Sequence, residues 1–428
     1  MQQPNPADAG SSPGASSKLN RALAAFSFQQ YLAFIFLLAL SARVAIIFLL
    51  SNFNRVSGME NEIIALNLLA GKGYCYGYII NEMPSALVGP VYTALIYVHF
   101  LLFGNNYFFV EISQALIGSL SAVLLALVGR KMAGDRVGIL SGILSALYPT
   151  YAYWCALPIQ LTVDVFMLEF CIYLVMVAME RQKISWHILA GAWIGLTALS
   201  KSFYLSFLFL YLAWFWVWKR PKLKSLIYAA CLWSIAAAVV ISPWSIRNYR
   251  VFHQWVPLTT NGGANLWYGN NPLATGGLYT RDGKPMLSVV PQELMQKLAQ
   301  AKTEAEKDKL LGQAGREWIK SHPAEFIKLV PLRLRAMWWF DPEMETGFPM
   351  ARKAVYVLLL LFAVPGMMVS RKSWKPASIF YLLCLWETFF YSFFVGQARF
   401  RYLIEFGFLF FAACFLVWIG QKAQTKFQ

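Results

Sequence analysis

Residues 88–103, VGPVYTALIYVHFLLF, form the apolar stretch that decides how the chain is arranged in a membrane. The stretch has 16 residues, whereas a transmembrane helix needs about 20. If it crossed the bilayer, every later loop would change sides, and the loop charges would lose most of their asymmetry. We therefore predict that residues 52–106 form one long external loop with two juxtamembrane helices, at 60–71 and about 88–103.

Most of the remaining chain consists of apolar segments. Of its 428 residues, 58% are hydrophobic and 14% are charged, whereas soluble domains carry about a quarter charged residues. The alternating segments of about ten residues that form outer-membrane barrels are absent. The sequence predicts an all-α polytopic membrane protein with about ten transmembrane helices. We place them near residues 29–51, 107–129, 136–154, 159–179, 186–200, 203–218, 226–246, 354–370, 377–395 and 402–420.

Basic loops predict the orientation. The cations at 130–136, 181–183, 219–224 and 371–375 share one side with both chain ends, and such loops are typically cytoplasmic. This predicts a multi-pass protein of the plasma (inner) membrane with cytoplasmic termini. The same loops account for the net charge of +16, so we expect no nucleic-acid partner.

The predicted spans divide the chain into four parts. They are a disordered cytoplasmic tail (1–28), a transmembrane core (29–246) that includes the loop 52–106, a second external loop (247–351) with an amphipathic helix near 292–320, and C-terminal transmembrane helices with a short cytoplasmic tail (352–428).

Carboxylates occur beside the first span, in GMENEIIALNLLAGKGY (58–74). Glu60 and Glu62 would point roughly 200° apart on a helix, so only one can face a given pocket. Glu60 could act as a general base or only stabilise a helix N-terminus. Asp164, near the external end of the fourth predicted span, is a second candidate acid, with pairing to a neighbouring span as the alternative.

Several cations are predicted on the external side. Lys201, in the tight turn TALSKSFYLS, could neutralise a phosphate or only reach the interface as an anchoring lysine. Arg247, Arg399 and Arg401 lie against the positive-inside trend. Cations in such places could clamp a phosphate leaving group.

The sequence lacks common metal and nucleotide motifs. The six Cys show no C-x-x-C spacing and the four His are scattered, so no metal ligand is assigned. There is no Walker loop and no dinucleotide fingerprint. No cofactor is predicted with certainty, and a divalent cation held by Glu60 and a second acid stays an alternative.

A series of blocks, in order, resembles the GT-C membrane glycosyltransferases. The most specific block is PWSIRNYRVFHQWVPLTTNGGANLWYGNNP (243–272), followed by the Glu60–Tyr74 block. The branch looks like the bacterial relatives of protein mannosyltransferases and of the aminoarabinose–lipid A transferase. The supporting blocks are GPVYTALIYVHFLLFG, ALYPTYAYW, LSKS, EWIKSHPAEFIKLVPLRLRAMWW and ARFRYLIEF, and the resemblance runs from about residue 29 to 420.

This resemblance implies a function. It implies inverting transfer of a sugar from a polyprenyl-phosphate carrier to a lipid, glycan or protein acceptor at the external face of the membrane. It also implies that Glu60 is the catalytic carboxylate of the first loop, that Asp164 is the second acid, and that Lys201 holds the carrier phosphate. The candidate substrate-binding residues in the blocks are Glu62, Tyr92, Asn261, Asn265 and Asn270.

The sequence departs from the family pattern in three places. Ser57 and Asn61 stand where many relatives have an Asp and an aromatic residue, and Leu161-Thr162 stands where an acid–Thr pair is expected. Three other functions are also compatible with many spans: a flippase or transporter of lipid-linked sugars, an O-antigen polymerase or ligase, and a non-catalytic assembly factor. No internal repeat of the kind common in transporters is visible.

Overall fold

The computed structural model describes residues 26–51, 58–78, 81–339 and 349–426. Most of these residues are helical, and the predicted all-α polytopic membrane fold is confirmed. Most of the predicted tail, residues 1–25, and Ser57 lie outside the described residues.

Within the described residues, ten helices begin before the second long loop (residues 247–351). They are α1 Phe28–Leu50, α2 Glu60–Leu69, α3 Pro90–Phe103, α4 Tyr107–Ala133, α5 Asp135–Leu147, α6 Pro149–Cys155, α7 Leu161–Arg181, α8 Ile184–Ser200, α9 Phe207–Lys219 and α10 Leu223–Phe252. Eight more helices begin within this loop or after it: α11 Gly262–Gly269, α12 Gln292–Gln300, α13 Glu304–Ser321, α14 Pro323–Trp338, α15 Pro349–Val369, α16 Trp374–Tyr391, α17 Ala398–Tyr402 and α18 Glu405–Lys426.

Seven segments of the described chain are long and apolar enough to cross a membrane: Phe28–Leu50, Tyr107–Ala133, Leu161–Arg181, Ser202–Lys219, Leu223–Phe252, Met350–Tyr391 and Glu405–Thr425. The segment Met350–Tyr391 contains both α15 and α16, which a short 3₁₀ turn separates. Two shorter apolar helices, Pro90–Phe103 and Ile184–Ser200, accompany them. Because helix α7 is buried along most of its length and packs against α4, α8 and α9, it forms the centre of the bundle.

The predicted span 136–154 is not one helix. The chain forms α5 and then the short α6, with Tyr148 in an extended conformation between them. Pro149 is the cause, because it cannot donate a backbone hydrogen bond and it disfavours a helical residue before it.

The first long loop (residues 52–106) contains helices α2 and α3, where the sequence predicts them. Between them lies an antiparallel hairpin that the sequence did not predict, formed by β1 Cys75–Tyr78 and β2 Asn81–Pro84. The Tyr74 hydroxyl contacts Val88 O at 3.0 Å and Thr93 Oγ1 at 3.0 Å. These contacts fold the loop back on the start of α3.

Gly89 brings the first long loop against the end of α8. A Cβ atom at this position would lie 1.9 Å from Leu199 O and 3.1 Å from Ser200 O. No side chain larger than hydrogen fits at that separation. The glycine therefore sets the distance between α3 and the turn that carries Lys201.

The helix predicted near 292–320 is two helices, α12 and α13. Thr303 begins α13, since its hydroxyl accepts a hydrogen bond from Glu306 N at 3.2 Å. A side chain that accepts from the first turn is the usual N-cap, and here it fixes the break. The prediction of one continuous amphipathic helix near 292–320 is therefore wrong.

Glu304, at the start of α13, joins the two long loops. Its buried carboxylate accepts hydrogen bonds from Ser85 Oγ at 2.7 Å, from Ala86 N at 2.7 Å and from the Thr260 hydroxyl. Burial raises the pKa of Glu304, and these three donors act in the opposite direction. The second long loop is thereby fixed to the first.

We predict that Gly89→Ala lowers stability by about 1–3 kcal/mol, because the added methyl group must push two backbone segments apart. The melting temperature of the full chain in detergent would measure this. Gly420→Ala is the matched control, since nothing lies within 4 Å of a Cβ at that position. Equal melting temperatures for the two variants would contradict the close approach at Gly89.

Candidate functional site

A cavity of about 660 Å³ opens between the helix bundle and the two long loops. Its wall combines segments that are far apart in sequence. The polar and charged residues that line it are Glu60, Asn61, Gln160, Asp164, Ser200, Lys201, Ser202, Thr259, Asn261, Asn265, Tyr268, Tyr279, Arg352, Gln397, Arg399 and Tyr402.

Three charged side chains face this cavity without direct partners. Within the described residues, Glu60, Lys201 and Arg399 make no hydrogen bond and no ion pair through their side chains. The Lys201 ammonium lies 4.9 Å from the centre of the Phe400 ring, and the Arg399 guanidinium lies 5.5 Å from the same centre. Two cations therefore flank one aromatic ring in the cavity wall.

Asp164 also lines the cavity but is fully hydrogen-bonded. Its carboxylate accepts from Ser200 Oγ at 2.5 Å and from Gln160 Nε2 at 3.1 Å. Gln160 Oε1 in turn accepts from Asn61 Nδ2 at 3.4 Å. Asp164 therefore connects the turn before Lys201 with helix α2, and it is 1% exposed.

Glu62 points away from the cavity. Its carboxylate accepts hydrogen bonds from Gly58 N at 2.9 Å and from the Tyr107 hydroxyl. The side chain is buried between α2 and the start of α4. Glu62 thus anchors α2 while Glu60, two residues earlier, faces the cavity.

Three other candidates do not line the cavity. Tyr92 is buried and donates to Gln114 Oε1 at 2.7 Å. Arg247 donates to Ser85 O at 2.6 Å and to Tyr74 O at 3.1 Å, and so braces the first long loop. A direct contact of Tyr92 or Arg247 with a substrate stays a prediction that this geometry does not support.

Arg401 is the third of these candidates. It donates to Glu405 Oε1 at 2.7 Å and to Met337 O at 3.1 Å. Its guanidinium also lies 3.6 Å from the centre of the Tyr356 ring. Arg401 therefore joins α14, α15 and α18, while Arg399, two residues earlier, reaches the cavity.

The Asn residues of the second long loop divide in the same way. Asn261 and Asn265 line the cavity, and Asn261 Nδ2 donates to Leu87 O at 2.9 Å. Asn270 lies outside it: its Nδ2 donates to Phe393 O at 2.9 Å, and its Oδ1 accepts from Arg333 Nη2 at 2.8 Å. Asn270 thus holds the chain segment that precedes α17.

Arg333, on helix α14, completes that clamp. It donates to Gly269 O at 2.7 Å and to Ser392 O at 2.6 Å. Gly396 lies so close that a Cβ atom there would be 2.0 Å from Arg333 O. The backbone before Arg399 is therefore fixed by contacts of α11 and α14 with the segment between α16 and α17.

Several lining residues were missed at the level of sequence: Gln160, Tyr268, Tyr279, Arg352 and Gln397. Gln160 stands four residues before Asp164, which is the spacing of side chains on one helix face. Arg352 begins a membrane helix on the side that the sequence predicts to be external, so the signal that selected Arg399 also applies to it. The other three gave no signal.

No group of three or more His, Cys, Asp or Glu side chains that could hold a metal ion occurs in the described part of the chain. Both oxygens of Asp164 already accept hydrogen bonds, and Lys201 and Arg399 repel a further cation. These residues fit a resident divalent cation poorly, and no chemical step is derived through one.

Comparison with known proteins places this architecture. Residues 87–246 match the family described as dolichyl-phosphate-mannose-protein mannosyltransferase. The oligosaccharyltransferase AglB from Archaeoglobus fulgidus, solved with an inhibitory peptide and a dolichol-phosphate, superposes with a TM-score of 0.55 at 14% identity, over 92% of this chain and 50% of that chain. The chain has the GT-C fold.

Two further solved structures are similar to this chain. The Archaeoglobus fulgidus oligosaccharyltransferase in complex with Zn and sulfate superposes with a TM-score of 0.54 at 13% identity, over 92% of this chain and 50% of that chain. ArnT from Cupriavidus metallidurans in the apo state superposes with a TM-score of 0.41 at 14% identity, over 89% of this chain and 77% of that chain.

The chain spans about half the length of the oligosaccharyltransferases that it matches. No curated protein matches the sequence. The fold that the resemblance to the GT-C membrane glycosyltransferases implies is confirmed, whereas the branch within them stays a prediction.

We predict that Arg333→Lys loosens the segment before Arg399, because one ammonium cannot replace the forked hydrogen bonds of a guanidinium. A lost hydrogen bond to a charged group corresponds to about 1.5–3 kcal/mol. Hydrogen–deuterium exchange at residues 392–397 should accelerate. Arg335→Lys, at an exposed position on the same helix, is the control, and equal exchange in both variants would contradict the clamp.

Proposed function

We propose that the protein is a glycosyltransferase that moves a sugar from a polyprenyl-phosphate carrier to an acceptor hydroxyl at the external face of the membrane. One observation carries the proposal. The carboxylate of Glu60 and the cations of Lys201 and Arg399 face one cavity at the edge of an apolar bundle, without direct partners within the described residues. Unpaired charges in such a place are typical of sites that bind or react.

The chemistry follows from these groups. The acceptor oxygen attacks the anomeric carbon of the sugar, and the bond between that carbon and the phosphate oxygen breaks. The electron pair leaves on the carrier phosphate. Glu60 takes the acceptor proton as general base. A single displacement of this kind inverts the anomeric carbon.

The cations stabilise the leaving group. Lys201 and Arg399, which both lie near the Phe400 ring, would contact the phosphate. Fixed cations stabilise developing charge strongly, because they need no reorganisation. We assign Asp164 to the positioning of Lys201 through its hydrogen bond with Ser200.

The acceptor would enter beneath the second long loop. Tyr268, Asn261 and Asn265 line that side of the cavity, and they offer an aromatic face and amides to sugars or peptides. The AglB structure contains a peptide and a dolichol-phosphate, which supports a polyprenyl-phosphate carrier. Hexosyl and pentosyl donors and lipid, glycan and protein acceptors all fit this chemistry.

The proposed orientation rests on charge. The basic loop at 181–183 lies at the opposite end of α7 and α8 from Gln160 and Lys201. The basic loop at 130–136 is predicted on the same side of the membrane as 181–183. By the positive-inside rule those loops, and with them both termini, face the cytoplasm, and the cavity faces the exterior or the periplasm. A flippase of lipid-linked sugars is less consistent, because the unpaired charges gather at one end of the bundle and not near its middle.

Glu60→Gln should lower sugar transfer by at least about 100-fold, because an amide cannot accept the acceptor proton and general bases contribute about 10²–10⁴-fold. The purified variant should melt at the wild-type temperature, since Glu60 makes no hydrogen bond within the described residues. Glu82→Gln, an exposed carboxylate in the same loop, serves as the control. Wild-type turnover by Glu60→Gln would remove Glu60 from the mechanism.

Lys201→Met should weaken donor binding about tenfold or more, because a lost charge-assisted contact corresponds to about 1.5–3 kcal/mol. Binding of polyprenyl-phosphate sugar, measured by thermal stabilisation of the detergent-solubilised protein, tests this. Lys72→Met removes an exposed cation of the first long loop as a control. An unchanged donor affinity in Lys201→Met would show that the phosphate binds elsewhere.

A further inference from the structure

Gln397 is a buried polar residue in the cavity wall that the proposed mechanism does not use. It is 1% exposed and lines the cavity. Its side chain makes no hydrogen bond within the described residues, and its Oε1 atom is buried without a donor. Leaving such an acceptor unsatisfied costs about 1–3 kcal/mol. A cost of this size in the wall of a binding site indicates a ligand that supplies the donor.

Hydrogen bonds fix the backbone around Gln397. Gly396 N donates to Gly276 O at 2.9 Å, and Gln397 O accepts from Phe400 N at 3.1 Å. The Arg333 clamp holds the preceding residues. Gln397 stands before α17 but its side chain does not cap that helix. A structural role as a helix cap is therefore not what retains the amide.

The chemistry of the unsatisfied atom narrows the ligand. A carboxamide oxygen needs a hydrogen-bond donor. An ionised phosphate diester has none, and neither has an ionised carboxylate, whereas a sugar hydroxyl donates one hydrogen and accepts others. Gln397 Nε2 could donate to the same or a neighbouring hydroxyl. An amide that both accepts and donates is thus suited to a sugar.

The position of Gln397 favours the transferred sugar over the acceptor. The residue stands two positions before Arg399 and three before Phe400, the ring that Lys201 and Arg399 flank. If the carrier phosphate binds these cations, the group next to it is the sugar that the phosphate carries. We propose, on the basis of the proposed function, that Gln397 binds a hydroxyl of the transferred sugar and selects donors that have it.

The inference is tested with donors that lack single hydroxyls. Wild type and Gln397→Met are assayed as full chains with polyprenyl-phosphate hexoses and pentoses, and then with mono-deoxy forms of the donor that turns over fastest. A binding site built around a hydroxyl strongly disfavours the analogue that lacks it. For wild type we expect kcat/KM to fall about 100-fold at one deoxy position. With the full donor, kcat/KM of Gln397→Met should be about 100-fold below that of wild type. Removing the recognised hydroxyl from the donor should lower kcat/KM of this variant little further.

Stability separates recognition from structure. Methionine has a similar length and no unsatisfied oxygen, so Gln397→Met should melt no lower than wild type. Gln313→Met, the same substitution at an exposed position on α13, is the matched control. A lower melting temperature with equal loss for every donor would assign Gln397 a structural role and overturn the inference.

Two remaining outcomes separate this inference from its premise. If wild type turns over a donor, and Gln397→Met retains both its kcat/KM and its losses at each deoxy position, the inference alone fails. If wild type turns over no polyprenyl-phosphate sugar, the proposed function fails and this inference fails with it.

Discussion

Backbone contact at Gly89 is the constraint on which the cavity depends. The start of α3 lies directly against Leu199 O and Ser200 O, with no room for a side chain. This contact brings the first long loop, which carries Glu60, to the turn that carries Lys201. Arg247 and Glu304 hold the same loop from its other side through Ser85 and Ala86. The two sides of the proposed reaction are thereby positioned by packing between segments about 100 residues apart.

The treatment of charge separates the site from the scaffold. Arg401 and Glu405 are buried but form an ion pair at 2.7 Å. The Arg333 guanidinium donates hydrogen bonds to backbone carbonyls. Lys201 and Arg399 make no such contacts within the described residues. Proteins commonly depart from their own packing rules at functional sites, where the cost is offset elsewhere. The packed scaffold therefore holds unpaired charges in the proposed site.

The fold could be predicted from sequence because apolar length is a local property. Each predicted span contains helix, and the main error, at 136–154, came from ignoring Pro149. Parts of the site could also be predicted from sequence, because charged residues such as Glu60 and Lys201 are costly beside a bilayer. The hairpin of the first long loop was not, because its strands are only four residues each.

Long-range partners set the limit of that prediction. Arg247, Arg399 and Arg401 give the same signal in sequence, yet Arg247 and Arg401 have protein partners and Arg399 faces the cavity. Only the packing of distant segments decides between these outcomes. Gln397 is the extreme case, because glutamine is common on surfaces, yet this one is buried.

The central claim is that this cavity receives the phosphate end of a polyprenyl-linked sugar. A photoreactive phenylalanine analogue at Tyr279, which lines the cavity, tests it most directly when the protein is irradiated with radiolabelled polyprenyl-phosphate sugar. The same analogue at Tyr249, which is 54% exposed outside the cavity, reports non-specific contact with lipid. We predict labelling from position 279 that excess unlabelled polyprenyl phosphate suppresses, and no suppressible labelling from 249. Suppressible labelling from 249, or none from 279, would contradict the account.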